Sequence, residues 1–307
     1  MESQKFLVSV IIPMYNIEKY IGETIESVLF QSLKDIEVIV VNDGSKDGSL
    51  DIAKSYTFDP RVRIISQDNK GLSEARNTGL KYSRGKYVYF LDGDDLIEKD
   101  TLHDLYDLAE LNKVDLINFD AEAFYDRSYI GDARFEYKRR MPRIENNAIS
   151  GKEFIEVCDD NDGFYRSSVC LLFINKSFLD ENKLNFMKDI IHEDELFTFT
   201  ALAKSKMVMY VPKCYFKRRI RNESIMTSEK TIKNIDGYIS VAEELKSLGS
   251  VADVRIQRIM ASAIYTLNNI NIDKQNRKKI KEYIYRNFKL NFKNKIKLKF
   301  PVLTRLR

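Results

Sequence analysis

The 307-residue chain contains no tryptophan, only two histidines and only three cysteines. His103 and His192 are too few to form a multi-histidine metal site. Cys158, Cys170 and Cys214 are odd in number and widely spaced, which favours reduced structural thiols in the cytoplasm over a disulfide framework or a zinc site. The 12 glycines and 5 prolines exclude a collagen-like or linker-dominated chain. Apolar runs are far shorter than the ~20 residues that a membrane-spanning helix needs.

The chain as a whole also lacks a large excess of either charge, since it has 50 Lys and Arg against 46 Asp and Glu and a net charge of +4. Residues 274–307 nevertheless hold thirteen basic residues and one acidic residue, Glu282. Three interpretations of this basic tail stay open: a solvated helix face, a contact with anionic lipid or a lipid-linked substrate, and a homo-oligomer contact. Nucleic acid is disfavoured, since the run is terminal and no nucleic-acid module surrounds it. The aromatic residues interleaved with the basic ones are Tyr283, Tyr285, Phe288, Phe292 and Phe300.

The first 125 residues alternate short β-branched apolar runs with helical patterns. Strands that are apolar on both faces are typical of a parallel sheet covered by helices on both sides. The sequence therefore predicts an α/β, Rossmann-like domain with a mainly parallel sheet. The predicted strands are 7–13, 36–41, 62–66, 87–91 and 114–119, and the predicted helices between them are 18–31, 49–56, 73–82 and 102–111.

The pattern changes twice in the remainder of the chain. Between about 125 and 168 it weakens into polar, mixed-charge sequence, which predicts a long insertion or flexible segment. A strand at 169–174, a helix at 193–204 and an extended segment at 208–216 follow. Beyond residue 230 only helical patterns occur, so we expect two domains, 1–230 and a small helical domain at 231–307. The helices predicted there are 232–247, 252–270 and 274–290.

Each of the first four predicted strands runs into a polar or glycine-containing cluster. The carboxyl ends of parallel strands meet at one edge of a sheet, which is where open α/β sheets bind ligands. We therefore expect the four clusters to form one site. They are Pro13-Met14-Tyr15-Asn16, Asn42-Asp43-Gly44-Ser45, Asp68-Asn69-Lys70-Gly71 (with Arg76 and Asn77 one helical turn beyond) and Asp92-Gly93-Asp94-Asp95.

The fourth cluster carries the most specific chemistry. In an extended segment, Asp92 and Asp94 project to the same side, because side chains alternate with period two. Two carboxylates there, with Gly93 allowing a close approach, suit a hard divalent cation such as Mg²⁺ or Mn²⁺. The alternative is an acidic turn that caps the helix beginning near Lys99.

The segments 8–16, 40–49, 69–77 and 90–95 resemble, in order and spacing, the family 2 glycosyltransferases of the GT-A fold. The match runs continuously over about residues 6–110, and two shorter pieces follow at 192–197 and 219–226. The resemblance implies an inverting transfer of a hexose from a UDP-sugar to an acceptor hydroxyl, on a lipid-linked oligosaccharide or a glycoprotein. It also implies Mn²⁺ or Mg²⁺, and a cytoplasmic location, peripheral to the inner face of the membrane.

The same resemblance implies a role for each matching residue. Asp194 would be the catalytic base, with Glu193 as the fallback. Asp92 and Asp94 would be the D-x-D pair that faces the metal. Contacts with the acceptor or the diphosphate would come from His192, Arg219 and Arg221. Contacts with the nucleotide-sugar would come from Pro13, Tyr15, Asn16, Asp43, Gly44, Ser45, Gly71, Arg76, Asp92, Gly93 and Asp94.

Two alternatives from other functional classes stay open at this point. A nucleotidyltransferase on a related sheet would release pyrophosphate instead of a nucleoside diphosphate. A non-catalytic nucleotide-sugar-binding module is disfavoured, because both the metal position and the base position are filled.

Overall fold

The structure, a computed structural model, describes residues 6–127, 129–130, 135–160, 165–222 and 229–300. Strands and helices alternate through the first half of these residues. The strands are β1 (Val8–Met14), β2 (Ile36–Asp43), β3 (Val62–Gln67), β4 (Tyr87–Phe90), β5 (Leu96–Ile97), β6 (Leu116–Tyr125), β7 (Ala148–Ile149), β8 (Leu172–Asn175) and β9 (Val208–Ile220). The α-helices are α1 (Ile21–Leu29), α2 (Ser49–Lys54), α3 (Leu72–Tyr82), α4 (Thr101–Asn112), α5 (Gly151–Asp160), α6 (Lys176–Glu181), α7 (Glu193–Lys204), α8 (Ile232–Leu245), α9 (Asp253–Asn269), α10 (Lys274–Asn287) and α11 (Phe292–Lys299).

One half of the sheet is parallel and brings the polar clusters to a common edge. The described strands form a single sheet in the order β3-β2-β1-β4-β8-β6-β9-β5, with β7 paired to β9. β1 and β2 are buried along their whole length, as expected for strands covered on both faces. Their register pairs Met14 with Asn42, and the next register pairs Asp43 with Gln67. The loops that follow β1, β2 and β3 therefore begin side by side.

The other half of the sheet is mixed, and the sequence indicated no direction for two of its strands, β8 and β9. β8 pairs antiparallel with both β4 and β6, and β5 pairs antiparallel with β9. The β5–β9 register places Leu96 opposite Lys217. This pairing brings the last residues of β9 to the acidic cluster that precedes β5. A two-residue strand such as β5 carries too little periodicity to be found from the sequence.

The segment predicted as an insertion or flexible stretch contains β7 and α5, so that prediction was wrong. Arg139 and Asp120 form a buried ion pair there, with side chains 1% and 3% exposed. Arg139 Nε donates to Asp120 Oδ1 at 2.7 Å, and the Tyr210 hydroxyl donates to Asp120 Oδ2 at 2.8 Å. These contacts fasten the segment to β6 and β9.

The chain divides into two compact units. The first comprises Met1–Lys188 and Phe197–Ser224, and the second comprises Asp189–Leu196 and Ile225–Arg307. The boundary passes through α7, whose first turn belongs to the second unit. The functional division at residue 230 stays a prediction.

The second unit buries an apolar core between its helices. α8 contributes Val241 and Leu245, and α9 contributes Met260 and Ile264, all fully buried. The fourth helix of the C-terminal region, α11, was not predicted from the sequence. In the described ranges, none of the helices is both long enough and apolar enough to cross a membrane. Residues 301–307 of the basic tail lie outside the described residues.

We expect Arg139→Met to lower the free energy of unfolding by about 3–5 kcal/mol, since it leaves the buried Asp120 charge without its partner. Urea denaturation measures the change. Arg143→Met, an exposed arginine four residues away, should change stability by less than about 0.5 kcal/mol. Equal stability of the two variants would show that the buried pair does not hold this segment.

Candidate active site

The acidic cluster after β4 is a turn, so the prediction of an extended segment was wrong. The Asp95 backbone N–H donates to the Asp92 carbonyl at 3.1 Å. Thr24 Oγ1 lies 2.9 Å from the carbonyl oxygens of both Gly93 and Asp95. A Cβ on Gly93 would lie 2.4 Å from Ile17 Cδ1, which explains the glycine. The argument from side-chain alternation does not apply inside a turn.

Each of the two predicted metal-binding carboxylates is paired with an arginine. Asp92 Oδ1 accepts a hydrogen bond from Arg76 Nη2 at 2.7 Å, and Asp94 Oδ2 accepts one from Arg221 Nε at 2.8 Å. The Asp92 and Asp94 side chains are 31% and 22% exposed. Both carboxylates are therefore accessible from solvent while an arginine holds each one.

Arg76 reaches Asp92 from a buried position on α3. Its side chain is 1% exposed, and its guanidinium lies 5.1 Å from the ring centroid of Phe186. Phe186 in turn stacks on Phe197 with centroids 4.0 Å apart, and its backbone exchanges hydrogen bonds with the Asn77 side chain. A guanidinium packed in this way has little freedom to leave its carboxylate.

The pKa values of the carboxyl groups of Asp92 and Asp95 are shifted in opposite directions. Burial opposes ionisation of Asp92, but the charge and hydrogen bond of Arg76, with the more distant charge of Arg218, hold the pKa of Asp92 below its usual value. Burial and the negative charges of Asp94 and Asp92 raise the pKa of Asp95 well above its usual value. Asp92 therefore loses its proton more readily than an ordinary aspartate, whereas Asp95 retains its proton more readily.

Asp43 organises the loop that follows β3. Its Oδ1 accepts from Gln67 Nε2 at 2.8 Å and from the Lys70 backbone N–H at 2.9 Å, and its Oδ2 accepts from the Gly71 backbone N–H at 2.8 Å. Gly71 has φ +87°, a conformation that favours glycine. The predicted nucleoside-binding carboxylate thus also fixes a neighbouring loop.

The loops after β1 and β2 are tied to each other. The Asn16 backbone N–H donates to Ser45 Oγ at 3.2 Å, and the Lys46 N–H donates to Asn16 Oδ1 at 2.8 Å. Gly44 has φ +74°, and a Cβ there would lie 2.9 Å from a backbone nitrogen. Pro13 is buried in β1, whereas Tyr15 is 45% exposed.

Arg219 binds the acidic turn from the end of β9. Its backbone N–H donates to Asp95 Oδ1 at 2.7 Å, and its Nε donates to the Asp94 carbonyl at 2.8 Å. A second guanidinium nitrogen binds Glu23 on α1. Arg219 therefore joins α1 and β9 to the turn. The rest of its predicted motif, residues 223–226, lies outside the described residues.

The chemistry of the donor set fits a divalent cation. Asp92 and Asp94 supply hard oxygen ligands on a partly exposed turn, and a cation would share these carboxylates with their arginine partners. Among the described residues, no group of three or more His, Cys, Asp or Glu side chains is arranged to hold a metal. A cation held here by two carboxylates would take its remaining ligands from water and phosphate.

The predicted base lies in the second unit, at the start of α7. Glu193, Asp194 and Glu195 form the first turn of this helix. The helix dipole stabilises negative charge at such a position. His192 precedes the turn and has φ +76°.

Comparison with known proteins identifies the family. Residues 9–178 match the family model described as glycosyl transferase family 2. The chain belongs to glycosyltransferase family 2. The family that the sequence motifs predicted is therefore confirmed.

Two curated relatives illustrate the extent of the likeness within family 2. The chain is 49% identical over 147 residues to an uncharacterized glycosyltransferase, EpsJ of Bacillus subtilis, which covers 48% of this chain and 40% of EpsJ. It is 32% identical over 231 residues to the glycosyltransferase GlyG of Streptococcus pneumoniae, which covers 73% of this chain and 74% of GlyG. The chain spans only 31% to 63% of the length of five curated relatives that it matches, EpsJ among them.

A solved structure confirms the predicted fold. Residues 1–349 of Staphylococcus aureus TarS, in complex with UDP-GlcNAc, superpose with a TM-score of 0.65 at 23% sequence identity. The likeness covers 96% of this chain and 76% of that chain. The α/β class with a central sheet, flanking helices and C-terminal helices is therefore that of the GT-A glycosyltransferases. The roles of the individual site residues stay predictions.

Sequence reasoning missed several residues that hold the arginines around the acidic turn of this family 2 enzyme. Glu23 binds Arg219, and Phe186 packs on Arg76, but each lies far from the turn in sequence. Tyr137 lies beneath the Arg218 guanidinium, with 5.4 Å between its ring centroid and Cζ. Tyr137 belongs to the segment that sequence analysis assigned to an insertion, where no periodicity signalled a contact.

His192 is held as a neutral side chain. Its ring stacks on Tyr238 with centroids 4.0 Å apart, and its buried Nε2 has no hydrogen-bond partner among the residues that the structure describes. Burial and the positive charge of Lys230 lower the pKa of His192 from 6.5 to about 4, against an opposing effect of Glu195.

We expect His192 to make the protein less stable as the pH falls from 6.5 towards 4. Over this range the unfolded chain binds a proton on this histidine and the folded chain does not, so protonation favours unfolding. His192→Asn, which tolerates positive φ, should therefore lose less melting temperature between pH 7 and pH 5 than the wild type.

His103→Asn is the matched control, since the other histidine is 52% exposed. It should lose as much melting temperature as the wild type over the same pH interval. An identical loss in all three proteins would contradict a buried neutral His192.

Proposed function

We propose that the protein is an inverting glycosyltransferase that moves a hexose from a UDP-sugar to an acceptor hydroxyl. The observation that carries this proposal is the acidic turn: Asp92 and Asp94, each paired with an arginine, follow a strand of the parallel half of the sheet. The edge of such a sheet suits a nucleotide, and paired carboxylates and guanidiniums suit a diphosphate with its cation. The TarS complex with UDP-GlcNAc supports a UDP-sugar as the donor.

The loops after β1, β2 and β3 would bind the nucleotide. Tyr15 is exposed enough to contact a base or ribose, and Asp43 accepts three hydrogen bonds from protein donors with lone-pair capacity left for one more. Pro13, Asn16, Gly44, Ser45 and Gly71 give these loops their shape. Arg76 would orient Asp92 towards the ribose and diphosphate.

Asp92 and Asp94 would hold Mn²⁺ or Mg²⁺, with Gly93 giving the turn its tight shape. A bound divalent cation neutralises negative charge that develops on a leaving diphosphate. Arg221 and Arg219 would then bind the diphosphate oxygens as planar donors. Both arginines already lie on the turn, so the positive charge is in place before the donor binds.

Asp194 would accept the proton of the attacking hydroxyl. The family resemblance supports this role, and its position in the first turn of α7 keeps a carboxylate ionised. Glu193 is the alternative base, and His192 would contact the acceptor or the diphosphate. Attack from the face opposite the leaving group inverts the anomeric centre.

The acceptor would be a glycan on a lipid carrier or a protein, in the cytoplasm at the inner face of the membrane. α10 and α11 support a setting at the membrane, because together they carry ten Lys and Arg and one Glu. Phe292 and Tyr285 are 78% and 67% exposed among these charges, whereas Phe288 is buried.

Release of UDP from a panel of UDP-sugars in the presence of Mn²⁺ tests the reaction. We expect Asp94→Asn to lower kcat by about 10²–10³-fold, as loss of charge stabilisation does. Asp194→Asn should lower it by about 10²–10⁴-fold, as loss of a general base does. EDTA should abolish turnover, and added Mn²⁺ should restore it.

Asp236→Asn serves as the control, since this aspartate is exposed on α8. It should turn over at the wild-type rate. Wild-type turnover by both Asp94→Asn and Asp194→Asn would overturn the mechanism. Release of pyrophosphate instead of UDP would indicate a nucleotidyltransferase, and binding of UDP-sugar without turnover would indicate a binding module.

The basic surface of α10 and α11 is tested by sedimentation with lipid vesicles. Replacing Lys293, Lys295, Lys297 and Lys299 with glutamine should weaken binding to phosphatidylglycerol vesicles at least tenfold, because each cation near an anionic surface contributes about 1 kcal/mol. Binding of UDP should not change.

The matched control replaces four exposed lysines of the first unit, Lys54, Lys81, Lys99 and Lys113, with glutamine. This variant should bind vesicles like the wild type. Equal binding by both quadruple variants would remove the assignment of this surface to the membrane. A concentration-dependent change of mass in the α11 variant would favour a homo-oligomer contact.

A further inference from the structure

An ion pair joins the start of α7 to the C-terminal helices. Arg255 on α9 donates through Nε and Nη2 to the two carboxylate oxygens of Glu195. The Arg255 and Glu195 side chains are only 15% and 10% exposed. A bidentate pair of this kind fixes direction as well as distance, because both groups are planar.

α8 approaches the same segment one turn earlier. A Cβ on Gly237 would lie 2.4 Å from the Ile191 carbonyl oxygen, so only glycine permits this approach. The next residue, Tyr238, stacks on His192 with ring planes 10° apart. The residues before the helix are thus enclosed by α8, while Glu195 inside the helix is bound by α9.

The enclosed segment has a backbone that needs such support. Asp189 and His192 have φ values of +58° and +76°, in the left-handed region that non-glycine residues rarely adopt. Conformations of this kind are unfavourable for such residues and persist where the surrounding structure imposes them. The Glu195 N–H donates to the His192 carbonyl at 3.0 Å, so the strained residue also begins the helix.

We propose that Arg255 is a positioning residue for the base of the transfer reaction. By binding both oxygens of Glu195, it fixes the first turn of α7 and with it the carboxylate of the adjacent Asp194. The inference rests on the proposed function, in which Asp194 accepts the proton of the acceptor hydroxyl. It gives the C-terminal helices, which the family match at residues 9–178 does not include, a part in the reaction.

A positioning role differs in its kinetics from a stabilising one. An ion pair that only stabilises the helices would lower the melting temperature and leave kcat of the folded enzyme unchanged. A pair that positions the base lowers kcat and leaves the KM for the donor unchanged, since the general base acts in the chemical step. General-base geometry is sensitive to shifts of about 1 Å.

The experiment compares Arg255→Met, Arg255→Lys and the control Lys233→Met, another cation of the same unit that is exposed on α8. All are assayed at a temperature where each is folded. We expect Arg255→Met to lower kcat at least tenfold with the donor KM within about twofold of wild type. Arg255→Lys should recover part of kcat, because it keeps the charge but not the planar pair. Lys233→Met should match the wild type.

A double variant shows whether Arg255 acts through Glu195. Arg255→Met combined with Glu195→Gln should lose no more kcat than Arg255→Met alone, since both changes break the same pair. Losses that multiply would overturn the inference, and so would a wild-type kcat in folded Arg255→Met.

Hydrogen exchange separates this inference from the proposed function. The amides of residues 190–196 should exchange at least fivefold faster in Arg255→Met than in Lys233→Met. If the wild type transfers no sugar from any donor, the proposed function fails. If the amides of residues 190–196 exchange at the same rate in Arg255→Met as in Lys233→Met, the positioning role fails, whatever the activity. If the wild type is active and exchange is unchanged, only the positioning fails.

Discussion

Repulsion between carboxylates is the constraint on which the first unit depends. Asp92, Asp94 and Asp95 lie within four residues of one turn, and groups from other parts of the chain offset the negative charge there. Arg76 from α3 and Arg221 from beyond β9 each bind one carboxylate, and the Arg219 backbone binds the third. The antiparallel pairing of β5 with β9 delivers the latter two residues to the turn. Residues at the end of β9, in the mixed half of the sheet, therefore help to offset the negative charge that follows β4, in the parallel half.

The same constraint separates the roles of the three aspartates. Asp92 and Asp94 are partly exposed and keep side-chain partners that a ligand can share. Asp95 is buried and holds the main chain of β9. A motif that looks like three equivalent acids in the sequence is thus two potential ligands and one structural link, because burial and hydrogen bonding differ at each position.

The parallel half of the fold was predictable because its signals are local and repeated. β1 and β2 are continuous apolar runs, and their polar ends identify the site without any contact information. β8 gave a clear strand signal but no orientation, since pairing direction depends on residues far away in the chain. α5 was missed because the polar residues around it hide a short amphipathic pattern.

The candidate site, like the fold, could be predicted from the sequence only in part. The four clusters were found because each occupies a few consecutive residues, and the structure brings their loops to one edge. The partners that hold them, such as Glu23 and Phe186, carry no motif and are recognisable only once the chain is folded. The turn at Asp92 was misjudged as extended because the apolar strand before it gives no sign of where it ends.

Asp43 has a consequence for the energetics of any nucleotide that reaches this edge. Because its carboxylate accepts hydrogen bonds from the backbone N–H groups of Lys70 and Gly71, the protein itself holds the loop after β3 in place. A nucleotide that binds here would therefore lose little free energy to ordering of this loop, and the affinity would be higher for the same contacts. A single acidic side chain thereby supplies preorganisation that a longer, unsupported glycine-containing loop would lack.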